Sequence, residues 1–371
     1  MSAGAVTEGR SAVRLGRLDT LRHRPLLVGL GALVALAMAI VAGVAFGNIA
    51  VPIGDTIGIL AQHLGWPVAT SWPASAETIV FDLRLPRVLT AAVVGAGLAV
   101  AGTTFQGLLR NPLADPYVLG TASGAALGAA IAVLIPVSVA WLGFGLVHLL
   151  AFSGALIAVA VVWRLARTTS LSSLTALLLT GYAVGSLLAA GLSVAMYASG
   201  AQLRQIVFYL LGGFSGASWP QLVAAAPLVV VGSVLLLLRA RSLNALLLGE
   251  ETAANLGLNV RRERAILLCL AALVTAAAVA VSGLIGFVGL IVPHVVRLVV
   301  GPNARLVLPL SALVGAAFLT FADLVARIPG ELPVGVVTAI VGAPFFLIIL
   351  RRARAGYEVR GGHRRRRAYD R

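Results

Sequence analysis

The chain has 371 residues, of which 60% are hydrophobic and 11% charged, with a mean hydropathy of +1.00. Soluble domains carry about 25% charged and about 45–50% apolar residues, so this composition excludes a soluble globular protein and points to a chain that crosses a membrane many times. The 28 basic residues outnumber the 13 acidic ones for a net charge of +15, and every one of them is arginine, which excludes a P-loop and Schiff-base chemistry because both need lysine.

A spanning helix needs about 20 apolar residues at about 1.5 Å each to cross about 30 Å of hydrocarbon. Residues 1–24 are polar and hold five arginines, and they read as a cytoplasmic tail. The apolar run that follows is too long for a signal peptide, so the first span is expected to stay uncleaved. Spans are expected near 25–46, 86–108, 115–135, 142–163, 174–197, 219–238, 265–281, 284–300, 306–325 and 332–350, within a membrane domain of residues 25–352. Residues 47–85 form a long connection with a short amphipathic helix near Ile53–Leu64 and two Trp-Pro pairs suited to the membrane interface. Gly120, Gly124 and Gly128 recur every four residues, as do Gly181 and Gly185, which lets neighbouring helices approach closely. Residues 239–264 form a second long connection, in which Leu, Ala and the acids Glu250 and Glu251 favour helix while Gly249 and Gly257 break it. Two short helices separated by a turn satisfy that pattern. Residues 353–371 form a second arginine-rich tail.

Positive residues stay on the cytoplasmic side of a membrane. With the N-terminus inside, 24 arginines fall on the inner side and only Arg84, Arg87, Arg204 and Arg327 fall outside. Both termini are therefore expected in the cytoplasm, with an even number of spans. Four arginines against the rule fit a surface that receives an acidic partner. They equally fit side chains that snorkel to the head-group region.

Little else in the chain could carry chemistry. Five scattered histidines and mostly loop-borne acids make no HExxH, GxSxG or paired-carboxylate arrangement, which argues against an enzyme. The single Cys269 excludes a disulfide and a cysteine-rich metal site. His294 has no second ligand at a recognisable spacing and reads as a packing residue. No metal, cofactor or nucleic acid is expected. Only Asp115 and Asp323 lie near spans, both toward their ends, which disfavours a proton- or sodium-coupled carrier and leaves it as the alternative of a different class.

Several motifs follow one another in order: Arg84-Leu85-Pro86-Arg87, then Gln106-Gly107-Leu108-Leu109-Arg110-Asn111-Pro112-Leu113-Ala114-Asp115-Pro116, with Leu119-Gly120 and Ser123-Gly124-Ala125 behind. Further along come Leu248-Gly249-Glu250, Leu256-Gly257, Gly286 through Pro293-His294 with Arg297, Ala322-Asp323 with Arg327, and Glu331-Leu332-Pro333-Val334-Gly335 through Gly342-Ala343-Pro344-Phe345-Phe346. Over roughly residues 25–352 this order resembles the FecCD-type permeases of ATP-binding-cassette importers, which serve iron chelates, haem and vitamin B12. The resemblance implies an all-α permease of about ten spans in a bacterial cytoplasmic membrane. It implies pairing with a second permease subunit, identical or related, and association with two cytoplasmic ATPase subunits and an extracytoplasmic substrate-binding protein. ATP hydrolysis then belongs to the ATPase and not to this chain.

Residue by residue, the resemblance makes Arg84, Arg87 and Arg327 docking residues for the binding protein. It makes residues 239–264 the segment that couples to the ATPase, with Leu248, Gly249, Glu250, Ala253, Leu256 and Gly257 as its matched positions. Asn111 and Leu113 match positions that narrow the cytoplasmic end of the path, and Leu174 and Thr175 align with the facing constriction. Asn111-Pro112 also reads simply as a helix end and turn. Arg204 matches a short outer helix near the path. The implied cargo is a ferric siderophore first, with haem or cobalamin as alternatives.

Overall fold

A computed structural model describes residues 25–69, 71–137, 140–141, 143–167, 173–328, 330–348 and 351. The tails expected at 1–24 and 353–371 lie outside the described residues. Helix α1 (Pro25–Ala45) leads to the short α2 (Ile53–His63) and then to α3, a continuous 35-residue helix, Ala74–Leu108, that is π-helical over Thr78–Arg84. Next come α4 (Thr121–Leu134), α5 (Leu146–Ala166), α6 (Ser173–Ala198), the short α7 (Leu203–Leu211) and α8 (Trp219–Leu238). Two short helices follow, α9 (Ala240–Leu247) and α10 (Glu250–Asn255), and then α11 (Val260–Ser282), α12 (Val288–Val300), α13 (Ala304–Arg327) and α14 (Val334–Ile348).

Each of the ten expected spans falls on a helix. Seven of these (α1, α3, α5, α6, α8, α11 and α13) are long and apolar enough to cross a membrane, and α4, α12 and α14 are shorter apolar helices. Among the span starts that shift, two have identifiable local causes. The span expected from residue 115 begins at Thr121, because Asp115 caps a single 3₁₀ turn over Pro116–Leu119 by accepting the Tyr117 N–H at 2.8 Å. Gly120 then turns the chain at φ 77°, a left-handed value that glycine adopts without steric cost. The span expected from residue 284 becomes helical only at Val288. Backbone that leaves the helix inside a membrane must find partners within the protein. Here the Tyr117 hydroxyl donates to the Ile285 carbonyl at 3.0 Å and accepts the Ile285 N–H at 3.2 Å, while the Leu284 N–H reaches the Tyr209 carbonyl at 3.3 Å.

The bundle is organised around α3, which is buried along most of its length and packs against α13, α11, α12 and α8. Small residues bring these backbones together, as expected where helix association rests on packing and not on a hydrophobic drive. A Cβ on Gly95 would run into the Gly315 carbonyl and one on Gly315 into the Gly95 carbonyl, so α3 and α13 touch backbone to backbone. The expected glycine spacing has the same use in α4, where Gly124 meets Gly154 of α5 and Gly128 meets Leu150. By contrast α6 packs on the bundle along one face only and leaves the other exposed, presenting Leu178, Leu179, Tyr182, Leu187, Val194 and Tyr197.

Candidate functional site

The three motif arginines come together at one end of the bundle. Arg84 and Arg87 stand on α3, and Arg327 ends α13, which runs antiparallel to α3 through the Gly95–Gly315 contact. Asp323 lies one turn before Arg327 and is fully buried between two guanidinium groups. Its Oδ1 accepts from Arg87 Nε at 3.0 Å, and its Oδ2 accepts from Arg327 Nε at 3.0 Å and also from Arg327 Nη2. Arg87 Nη1 reaches Glu331 Oε1 at 3.3 Å. Glu331 sits at φ 61° directly after Gly330, in the turn between α13 and α14, with its side chain half exposed.

The remaining donors close the end of α1. A helix leaves its last four carbonyls without intrahelical partners, and cations are favoured there. Arg327 Nη1 takes the Gly43 carbonyl at 2.8 Å, Arg84 Nη1 takes those of Val44 and Ala45 at 3.1 Å each, and Arg84 Nη2 takes that of Ile49. Arg84 and Arg327 are 6% and 3% exposed, so both are built into the protein and neither floats at the head groups. Even so, Arg84, Arg87, Arg327 and Glu331 all line one cavity of about 180 Å³. In the sequence Asp323 stands near a span end, in one motif with Arg327, and Glu331 opens the next motif, but neither carries an assigned role. The signal for Asp323 was its i,i+4 spacing to Arg327, with the acid on the N-terminal side, which is the favoured order on a helix.

A larger cavity of about 580 Å³ adjoins this cluster and shares Arg87 and Glu331 with it. Arg204 on α7 also lines it, with its guanidinium over the Phe208 ring at 5.4 Å from the centroid. Gln205, Gln221 and His148 add polar side chains to the same wall.

The opposite end carries the expected pair of short helices. Gly249 at φ 120° separates α9 from α10, and Gly257 at φ 83° ends α10, so both predicted breaks fall on glycines in conformations that other residues rarely adopt. Leu248 and Leu256, each 67% exposed, project from the ends of the two helices. Glu250 pairs with Arg264 at 2.6 Å, at the base of α11. Ala253 differs from the other matched positions. It is fully buried and packs into the core with Leu243 and Leu246, so it seats α10 on the bundle and presents no surface.

At this same end α3 gives way to Arg110-Asn111. Asn111 accepts the Leu113 N–H on its Oδ1 at 2.9 Å, the turn expected of an Asn-Pro helix end. Leu174 and Thr175 lie in the first turn of α6, just after residues 168–172, which are outside the described residues. Helix α6 meets the Pro116–Leu119 turn where Gly181 backs onto the Val118 carbonyl. Among the described residues no group of three or more metal-ligating side chains converges.

A model of the FecCD transport family matches residues 34–352. The cobalamin import system permease protein BtuC of Halobacterium salinarum is 46% identical over 334 residues, covering 87% of this chain and 88% of that protein. The hemin transport system permease protein HmuU of Yersinia pestis is 44% identical over 294 residues, covering 77% of this chain and 88% of that protein. Among solved structures, a metal-chelate type ABC transporter in an inward-facing conformation superposes with a TM-score of 0.74 at 31% identity, covering 88% of this chain and 99% of that one. The close-packed α3–α13 pair, the buried arginine cluster and the projecting short helices are thus set in a chain that belongs to the FecCD transport family, a multi-pass permease subunit of an ABC importer whose ATP is hydrolysed by a separate ATPase.

Proposed function

We propose that the chain forms, with a second permease subunit, an alternating-access path for a bulky metal chelate, with both termini in the cytoplasm. Two ATPase subunits close on ATP, residues 239–264 carry that motion into the bundle, and a binding protein delivers cargo at the arginine-cluster end. The observation that carries this reading is the placement of the two candidate contact surfaces at opposite ends of one rigid helix pair. The 24-residue α13 spans about 36 Å between them.

In this reading Arg87 is the principal docking group, because it is the least buried of the three arginines in the cluster and already holds an exchangeable carboxylate in Glu331. Arg84 and Arg327 shape the same cavity and fix the end of α1 behind it. Leu248 and Leu256 enter the ATPase groove, Gly249 and Gly257 permit the turns, and Glu250 holds the loop to Arg264. Asn111 and Leu113 narrow the inner end of the path against Leu174 and Thr175. Arg204 lines the outer vestibule. The exposed face of α6 is where the second subunit covers apolar surface that a single chain leaves open.

Two cargo readings follow. Ferric siderophore is the one implied by the motif resemblance and fits the metal-chelate class of the superposed transporter. Cobalamin is the second, favoured by the 46% identity to the haloarchaeal cobalamin permease. Calorimetric titration of the cognate binding protein with ferric siderophores, haem and cobalamin separates them. Submicromolar binding of a siderophore supports the first, tight binding of cobalamin the second, and binding of none of the three overturns the metal-chelate assignment. With detergent-solubilised permease, Arg87→Glu is expected to weaken docking of the loaded binding protein by about ten-fold or more. Unchanged docking contradicts the role of Arg87.

A further inference from the structure

The residue that joins α3 to Asn111 is held in an unusual backbone conformation. Arg110 lies at φ 47°. Its N–H reaches the Gly107 carbonyl at 3.3 Å, and the Asn111 N–H reaches the Gln106 carbonyl at 3.1 Å. That pair of bonds ends a helix through a left-handed residue, a position ordinarily held by glycine. A bulky residue kept there against its preference is held by something else, and strain of this kind gathers at functional sites.

What holds it is the coupling segment. Arg110 Nε donates to the Leu246 carbonyl at 3.0 Å, in the last turn of α9, and Leu246 itself is buried. A second fastening lies two residues earlier. Asn244 Nδ2 donates to Asn303 Oδ1 at 2.8 Å, and Asn244 Oδ1 accepts the Ala304 N–H at 2.8 Å, tying α9 to the start of α13. Leu243 lies against the bare face of Gly107. Beside that contact lies a cavity of about 310 Å³ bordered by Arg110, Leu243, Leu247 and Ala304. Side-chain hydrogen bonds and the buried Leu243 and Leu246 together fasten α9 to α3 and α13.

We propose that Arg110 is a positioning residue for transport, a strut that passes displacement of α9 to the narrow inner end of the path. Arg110 is bonded in sequence to Asn111, and the Asn111–Leu113 turn is closed by its own hydrogen bond, so residues 110–113 move as a unit. A shift of Leu246 under the ATPase draws that unit with it, while Asn244 shares the same motion with α13. The proposal rests on the reading of residues 239–264 as the coupling segment.

The test uses the assembled transporter, permease with ATPase and binding protein in proteoliposomes. Arg110→Gly suits the left-handed backbone and removes only the strut. The readout is cargo taken up per ATP hydrolysed, with radiolabelled cobalamin, haem or ferric citrate, whichever the wild type accumulates. The ratio is expected to fall about five-fold or more, with no loss of thermal stability. Arg110→Lys, which can still donate to the Leu246 carbonyl, is expected to recover part of it. An unchanged ratio in Arg110→Gly, or a fall explained by a lower melting temperature, overturns the proposal. Leu248→Glu with Leu256→Glu distinguishes the two levels. If that pair abolishes ATPase assembly while Arg110→Gly keeps its ratio, only the strut fails; if the pair leaves assembly intact, the coupling reading itself has failed.

Discussion

Asp323 is the residue on which the arginine cluster turns. It is fully buried and both its oxygens are used, one by Arg87 and the other by Arg327. Taking the charge away leaves the buried Arg327 and the partly buried Arg87 facing each other with no carboxylate between them, and breaking such a pair costs about 3–5 kcal/mol. Asp323→Asn is therefore expected to lower the melting temperature of the detergent-solubilised permease strongly. Glu331→Gln removes only a half-exposed ion pair, worth about 0–1 kcal/mol, and is expected to leave melting nearly unchanged. Equal effects of the two substitutions in a thermal unfolding assay would contradict the division drawn here between buried hub and exchangeable surface carboxylate. The sequence marked the arginines because they break an orientation rule. It could not reveal that Arg84 and Arg327 spend their donors on the carbonyls of Gly43, Val44 and Ala45, because backbone acceptors leave no trace in residue identity.

At the scale of elements, the two short helices divide their residues between a buried seat and an exposed tip. Leu248→Glu with Leu256→Glu changes only exposed side chains, so the permease is expected to melt as the wild type does while the ATPase no longer co-purifies. Ala253→Leu forces three extra carbons into a filled site and is expected to destabilise the permease by about 1–3 kcal/mol. Both outcomes are read from melting curves and pull-downs on one set of preparations. The pattern of two helices and a turn was legible in Gly249 and Gly257, since a left-handed break has few other residues to choose from. Which face of α10 points inward was not, because six residues are too few for a periodic signal to separate Ala253 from its neighbours. The same limit explains the displaced starts of α4 and α12. Hydropathy carries straight through Pro116–Leu119 and 283–287, whereas helicity depends on a cap, on Gly120 and on the tyrosines that receive the freed backbone.

Taken as a molecule, the chain is a stack of helices that touch backbone to backbone through glycine at the centre and separate at both ends into polar clusters. The close contact of α3 with α13 at Gly95 and Gly315 favours motion of the pair as one body, with one end at Asp323 and the other beside Arg110 and Asn244. Rigid-body displacement about packed interfaces is a common way to switch a protein between two states. The alternative of a carrier working without an ATPase, open from composition alone, is set aside by membership of the FecCD transport family. The most direct test of the central claim is uptake by reconstituted vesicles holding the permease, its ATPase and its cargo-loaded binding protein. Accumulation is expected with ATP present and all three components in place, and loss of accumulation when the ATPase is left out or when Leu248 and Leu256 are both changed to glutamate. Accumulation that persists without the ATPase, or with both leucines replaced, would contradict a path driven through residues 239–264.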